Sequence, residues 1–397
     1  MNNIVIPSIK IITAQIIGFV LFNLNKNRNI WIIGEKKTEA RDNGFHFFKY
    51  MREKHKEIEA YYVISKGSSD LPKVESIGEV IEYNSFKHCV YYFYAKERVC
   101  SQLHGVMPYE NIPCLRRLFF WKRPKQHQTH LKHGIAKDLL DAYDFRQNSY
   151  DLLICGAIPE YNYYKSKFSY PDKNIALTGL CRFDALNQDN KPYDYILIMP
   201  TFRSWLRTKD SSKTNASEEE TKKFEKSDYF KVYNEVLHNE CLINKLKQQN
   251  LKVVFYLHYT MQPYVNSFKS EVCDDTIIIA DRYLYDVQNL LKHARLLITD
   301  YSSVFSDFAY LKRPVLYFQF DEKEYRTKHY KEGYFNYKRD GFGPVCSSID
   351  ELTSECVRII DNKFAIDVNY KHRFEKYFAF FDSNNCERVF NSILKLD

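Results

Sequence analysis

The sequence predicts an α/β protein of two Rossmann-like domains, and three observations carry that prediction. Short apolar runs alternate with longer amphipathic ones, as β-α-β units of a parallel sheet require. The alternation occurs as two separate series. The chain has 397 residues, 45% of them hydrophobic, whereas single cores rarely grow past about 250–300 residues.

The first series starts at Ile30 with IWIIG, followed by a helical stretch over 45–56, then AYYVI, a second helical stretch over 86–94, and RVCSQL. The second starts near Tyr193 with DYILIMPT and continues through KVVFYLHY, DTIIIA, RLLITD and PVLYFQF. The polar residues 187–191 separate the two, so the expected division is 1–28 for an N-terminal segment, 29–188 for one domain and 189–397 for the other. Two such domains facing each other across a cleft make the GT-B architecture. Inside the second domain, RTKDSSKTNASEEETKKFEKSD offers almost nothing to bury, so 206–228 is expected to be a mobile surface loop, either a solvated excursion or a lid.

Composition narrows the function classes. Tyr (32) and Phe (29) are abundant while Gly and Pro number 12 each, which excludes collagen-like and largely disordered chains. A net charge of +8 suits anionic headgroups, phosphorylated substrates or nucleic acid. The absence of zinc-finger spacing or an RNA-binding aromatic signature argues against nucleic acid as a partner. Ten widely spaced cysteines with no C-x-x-C pair read as reduced thiols in a cytosolic compartment.

The stretch 4–22 is apolar apart from residues such as Lys10 and Gln15, with Lys26 and Arg28 following. Without a basic n-region or a small-residue cleavage site it does not read as a signal peptide. The expected reading is an interfacial helix on the inner membrane surface, against a single anchor or an ordinary domain helix.

Three strand ends carry candidate chemistry. LLITDYSSVFSDFAYLKRPVLYF runs from an apolar strand into Asp300 and the Tyr301-Ser302-Ser303 turn, then into a helix whose buried face is marked by Val304, Phe308 and Leu311. Backbone N–H groups at a helix start, with Ser302 and Ser303 hydroxyls beside them, can hold a phosphate; the same serines can serve simply as an N-cap. Asp307, four residues past Ser303, can turn toward a ligand or toward solvent. In HLKHGIAKDLL, His133 follows a β-type run, Gly134 permits a tight turn, and a helix is expected to open near Ala136, which sets Lys137 to face phosphate charge. His258 ends the strand KVVFYL. Thr201 and Arg203 follow the first strand of the second series and offer a hydroxyl and a guanidinium to a donor. In TGLCRFD, Gly179 allows a turn, and Arg182 is expected to pair with Asp184. No D-x-D between apolar residues, H-E-x-x-H or Gly-rich P-loop occurs, so neither a metal nor another cofactor is expected.

Taken together, WIIGEKKTEARDNGFHFFKY, HGIAK, TGLCRFDAL, PTFR, YLHY, ITDYSSVFSDFAYLKRPVLYF and GYFNYKRDGFGPV, in that order, resemble the CDP-glycerol glycerophosphotransferase family of teichoic acid primases, polymerases and capsule-building relatives. The resemblance covers nearly everything from about residue 30 onward. It implies a GT-B fold, a CDP-glycerol donor held mainly by the C-terminal domain, a lipid-linked or polymeric acceptor on the N-terminal one, and attachment to the cytoplasmic face of an anionic membrane surface. A homo-oligomer is compatible with it. His133 and His258 match the family's essential histidines, and Ser302 and Ser303 lie near the donor phosphates. The chain departs from the family at Ile135-Ala136-Lys137, where Thr-Pro-Leu is frequent, and at Tyr259, where Pro is frequent. The expected reaction transfers glycerol phosphate and releases CMP, with His133, Lys137 and His258 as catalytic candidates and Thr201, Arg203, Asp300, Ser302, Ser303 and Asp307 as donor-binding ones. Against it stand a GT-B glycosyltransferase using a nucleotide sugar, a CDP-ribitol transferase and a non-catalytic scaffold. The sequence shows none of the extended N-terminal modules of some polymerases, which favours a single-module enzyme.

Overall fold

A computed structural model describes residues 2–208, 210, 213–271 and 274–396. The chain divides into two compact units, one of residues 1–135, 141–185 and 379–397, the other of 136–140 and 186–378. The C-terminal segment therefore belongs to the first unit, not to the second as its place in the sequence suggests.

The first unit is built on a seven-stranded parallel sheet: β1 (Ile30–Gly34), β2 (Glu59–Ile64), β3 (Val80–Glu82), β4 (Glu97–Cys100), β5 (His127–His130), β6 (Leu152–Cys155) and β7 (Ile175–Leu177), in the order β3-β2-β1-β4-β5-β6-β7. Strand β1 is buried on both faces, as a central parallel strand must be. Trp31 and Ile33 point into a cluster with Phe47, Phe48 and Met51, while Ile30 and Ile32 point into the opposite one with Cys89 and Phe93.

Three helices of this unit matter below: α1 (Asn2–Leu24), α2 (Asn43–Lys54) and α3 (Phe86–Tyr94). Residues 4–24 of α1 are long and apolar enough to cross a membrane. The return of the C-terminus is explained by the helix Asn385–Leu394, whose Cys386, Val389, Phe390 and Ile393 are buried. That i, i+3, i+4, i+7 spacing is one apolar stripe, and it packs on the Trp31 cluster, with the Phe390 and Trp31 ring centroids 5.7 Å apart.

The second unit has a six-stranded parallel sheet of β8 (Tyr195–Met199), β9 (Lys252–Tyr256), β10 (Ile277–Ala280), β11 (Leu296–Thr299), β12 (Val315–Phe318) and β13 (Val345–Cys346), in the order β10-β9-β8-β11-β12-β13. The segment 206–228 is not the uniform loop its polarity predicts. A helix spans Glu218–Glu225, begun by a capping box in which Ser217 and Glu220 satisfy each other's backbone N–H groups. Phe224, the one large apolar residue there, is buried with its ring stacked 4.2 Å from Tyr264. Residues 209, 211 and 212 of the same segment lie outside the described residues.

Each sheet reverses its direction of growth once, between β1 and β4 in the first unit and between β8 and β11 in the second. Open parallel sheets bind ligands at the carboxyl ends of strands flanking such a reversal. The loop after β1 carries Asp42, and those after β8 and β11 carry Thr201, Arg203, Asp300, Ser302 and Ser303. His133 follows β5, the neighbour of β4.

Candidate functional site

In the first unit, His133 is the exposed member of a small charged cluster. Its Nδ1 lies 2.5 Å from Asp42 Oδ2, with the His133 side chain 61% exposed and that of Asp42 12%. The other Asp42 oxygen accepts a hydrogen bond of 2.7 Å from Arg182 Nη1, which also donates to the His133 carbonyl. Arg182 thus pairs with Asp42. The expected partner, Asp184, instead accepts from the backbone N–H groups of Asn385 and Cys386.

The surrounding chain fixes this arrangement. Asn43 donates to the Lys132 carbonyl at 2.8 Å and accepts the Arg182 N–H at 3.0 Å, tying the His133 and Arg182 loops together. Lys132 has φ +61°, left-handed backbone that a non-glycine residue holds only when its surroundings enforce it. Here the enforcement comes from its fully buried ammonium, paired with Glu160 and hydrogen-bonded to Tyr164 Oη at 2.9 Å. Gly179 has φ +80°, and a Cβ there would meet Asn385 Oδ1 at 1.9 Å, so the turn leading to Arg182 requires glycine.

Electrostatics separate the two acids of this site. Burial alone would raise Asp42, but His133 and Arg182 hold it well below the usual carboxylate range. Glu35, at the end of β1, is pushed up to about 8 by burial and then by Asp42. Its carboxylate accepts the N–H groups of Arg41, Asp42 and Phe45, so it supports the start of α2 that presents Asp42. With Nδ1 held by an ionised carboxylate, Nε2 of His133 is the nitrogen left to take a proton, the arrangement of an oriented general base.

The second unit treats its charges differently. Arg203 is fully buried. It makes a two-pronged contact to Asp321 through Nε at 2.7 Å and Nη2 at 3.0 Å, lies 2.9 Å from Asp300 Oδ2, and donates to the Thr201 carbonyl. Tyr229, Tyr301 and Tyr325 lie around the guanidinium with centroids 5.1–5.2 Å away. Asp300 is also fully buried and accepts the N–H groups of Thr201 and Tyr301. Neither side chain is presented to a ligand as expected: the pair holds together the two loops at the sheet reversal.

Those loops leave a different set of groups. Ser302 and Ser303 are partly exposed ahead of the helix Val304–Tyr310, whose N-cap Ser303 makes no side-chain capping bond. Ser302 Oγ accepts the Val304 N–H at 3.3 Å. Asp307 is buried within that helix. The Thr201 hydroxyl is buried without a partner. His258 is half-buried after β9; its Nδ1 lies 2.9 Å from Thr260 Oγ1 and its ring stacks on Phe202 at 4.7 Å.

Lys137 is not placed as expected. No helix opens at Ala136, and the Lys137 ammonium is buried against Asp138, which also accepts from Arg326 at 2.6 Å. Burial lowers its proton affinity, opposed chiefly by Asp138.

Sequence reasoning missed two residues. Asp42 stands in a motif quoted for its family likeness, but its partner is 91 residues away. His329 packs edge-on to the opposite side of the Phe202 environment, 4.5 Å from that ring, and accepts the Ser204 N–H at 3.1 Å. Its Nε2 is buried without a partner, and burial, then Arg203, pushes it down to about 4. It sits in a polar run away from any strand end, where periodicity carries no signal.

Comparison with known proteins agrees with this geometry. The chain is 32% identical over 396 residues, 98% of its length, to the minor teichoic acid biosynthesis protein GgaB of Bacillus subtilis (strain 168), covering 42% of that protein. It is 27% identical over 260 residues, 63% of its length, to the teichoic acid glycerol-phosphate primase of the same organism, covering 58% of it. It is 24% identical over 256 residues, 58% of its length, to the teichoic acid ribitol-phosphate polymerase TarL of Staphylococcus aureus (strain NCTC 8325 / PS 47), covering 39% of it. The chain therefore spans well under two thirds of each of these relatives. Among solved structures, the wall teichoic acid polymerase TagF matches with a TM-score of 0.67 at 18% identity, over 98% of both chains. A histidine-to-asparagine variant of TagF soaked with CDPG matches at 0.63 and 19%, over 95% of this chain and 92% of that one. The UDP-GlcNAc 2-epimerase of Neisseria meningitidis reaches 0.52 at 13%, over 92% and 100%. These likenesses identify the fold as GT-B-like. The model of the CDP-Glycerol:Poly(glycerophosphate) glycerophosphotransferase family matches residues 16–395, and the chain belongs to that family.

Proposed function

We propose that this chain transfers glycerol phosphate from CDP-glycerol to a hydroxyl of a lipid-linked or polymeric acceptor in cell-envelope polymer synthesis, at the cytoplasmic face of the membrane. The observation that carries the reading is the exposed His133 imidazole backed by Asp42 at a strand end beside the sheet reversal, in a chain of this family. In the proposed step the acceptor oxygen attacks the β-phosphorus of the donor. The new O–P bond forms as the bond to CMP breaks, CMP leaves with the electron pair, and the acceptor proton passes to His133 Nε2. The second unit would hold the donor through Ser302, Ser303, the Thr201 hydroxyl and His258. Phosphoryl transfer of this kind depends on positioning and on charge stabilisation.

Two further observations support parts of the reading. Relatives named for glycerol-phosphate and for ribitol-phosphate polymers both match, which makes CDP-ribitol the donor to compare. An apolar N-terminal helix supports the membrane location. The reading invokes no cofactor or metal; a chelator should leave the rate within about twofold, since loss of a Lewis acid would cost several kcal/mol of transition-state stabilisation.

The test is CMP release by detergent-solubilised protein given a lipid-linked acceptor extract. CDP-glycerol should yield CMP. Release from CDP-ribitol alone would change the donor and keep the chemistry. UDP formed from sugar nucleotides, with no CMP from either CDP donor, would overturn the proposal.

A further inference from the structure

Helix α1 is apolar on all sides, and the two sides meet different surroundings. Pro7, Ile11, Ala14, Gln15 and Gly18 are buried, one face at i, i+4, i+7, i+8 and i+11. That face is seated on α3, so closely that a Cβ on Gly18 would lie 2.9 Å from Phe93 Cβ. Gln15 pins it: its amide donates to the Leu118 carbonyl at 2.7 Å, and its oxygen accepts the N–H groups of Phe120 and Trp121 at 3.1 and 3.0 Å. On the opposite face Val5, Ile9, Ile12, Ile16, Phe19 and Val20 are each 40–60% exposed. A contiguous apolar face of this kind marks an interaction surface.

The charges around it select the partner. No Asp or Glu occurs before Glu35, and none occurs in the segment 111–126 that Gln15 holds against α1. Those two stretches contain Lys10, Lys26, Arg28, Arg116, Arg117, Lys122, Arg123 and Lys125. Within the second, Phe120 is 74% exposed, and Trp121 packs edge-on to Phe19 with centroids 5.9 Å apart. An apolar face bordered by aromatic and basic residues with no acidic ones fits an anionic lipid surface. A second copy meeting this face about a two-fold axis would oppose the basic border to itself.

We infer that α1 lies in the plane of an anionic membrane, its outer face in the acyl boundary and residues 116–125 forming the aromatic and basic rim beside it, and that it does not cross the bilayer. This rests on the membrane-surface location proposed above. Spanning would require unseating Ile11 and Ala14 and stripping Gln15 from three backbone partners, whereas in-plane binding uses α1 as it is docked.

The test uses the full chain and two readouts. Sedimentation with phosphatidylcholine vesicles, with and without phosphatidylglycerol, should show binding that requires the anionic lipid and weakens with salt. The triple variant Ile9→Ser, Ile16→Ser, Phe120→Ser should lose at least about tenfold in partitioning, since each buried apolar side chain is worth about 1.5–3 kcal/mol; Arg117→Glu with Lys125→Glu should remove the preference for anionic lipid. Alkaline carbonate should release the bound protein. Retention in the carbonate pellet would overturn the inference in favour of a span; unchanged partitioning of both variants would overturn it outright. So would variants that abolish self-association, measured by ultracentrifugation, while binding vesicles normally. CMP release in detergent is read separately: its absence defeats the proposed reaction without touching vesicle binding, and normal CMP release by a chain that ignores vesicles defeats this inference alone.

Discussion

The two units present strand-end residues of similar type in opposite ways. In the first, an imidazole stands exposed with a carboxylate behind it and an arginine behind that. In the second, the arginine and two carboxylates are sealed inside, and what remains near the surface is hydroxyls and a half-buried histidine. A charge left at the surface can exchange a proton with a substrate. A charge paired in the interior cannot, but it fixes the loops that present weaker groups. The same residue type therefore does chemistry in one unit and architecture in the other, and burial of its partners decides which.

This contrast makes its largest demand on His133. His133→Ala should lower the rate of CMP release by roughly 10²–10⁴ while leaving donor affinity nearly unchanged. A variant with full activity would erase the distinction between the two units. The next effect is on folding. Arg203→Met leaves Asp300 and Asp321 buried and unpaired, a change that costs about 3–5 kcal/mol. The urea midpoint should fall accordingly, and a variant of normal stability that lost only donor binding would make Arg203 a ligand contact after all. A smaller effect is expected from Asp42→Asn, which keeps the shape but removes the charge that orients His133. The rate should fall by roughly tenfold or more with KM for the donor little changed, because the missing interaction orients the base and does not bind the donor.

Much of this was legible in the sequence, for identifiable reasons. Strands β1, β5, β8, β9 and β11 are short apolar or β-branched runs bounded by turn residues, so period and length locate them, and with them the strand-end positions of His133, His258 and Ser302. The sequence could not say how side chains pair across long separations. Asp42 meets His133 across 91 residues and Arg203 meets Asp321 across 118, and no local pattern encodes either distance. Lys137 was misread for the same reason: spacing set it one turn into a helix, but the segment is irregular and its ammonium is spent on Asp138. The helix Glu218–Glu225 was written in its capping box, yet the polar composition around it masked that signal. The C-terminal helix carried a clear apolar stripe, but which sheet would receive it depended on the Trp31 cluster far earlier in the chain.

The smallest effect tests whether burial alone can silence a histidine. His88 is fully buried at the start of α3, accepts the Asn84 N–H on Nδ1 at 3.0 Å, and meets the Val106 carbonyl with Nε2 at 2.8 Å. Both nitrogens are thus used by the neutral ring, since a second proton on Nδ1 would face an N–H donor. Burial pushes its pKa down to about 4. The unfolded chain takes up a proton near pH 6.5 and the folded one does not until about 4, so the unfolded state holds more protons between those values. Stability should therefore fall as pH drops through this window, by on the order of 1–2 kcal/mol from this ring at about pH 5. His88→Gln can offer an amide oxygen and an N–H in place of the two ring nitrogens without the titration. Its urea midpoint should change less between about pH 7 and pH 5 than that of the parent chain. Equal pH dependence in the two would mean that the ring titrates inside the fold, and that exposure is not what separates His133 from the buried histidines.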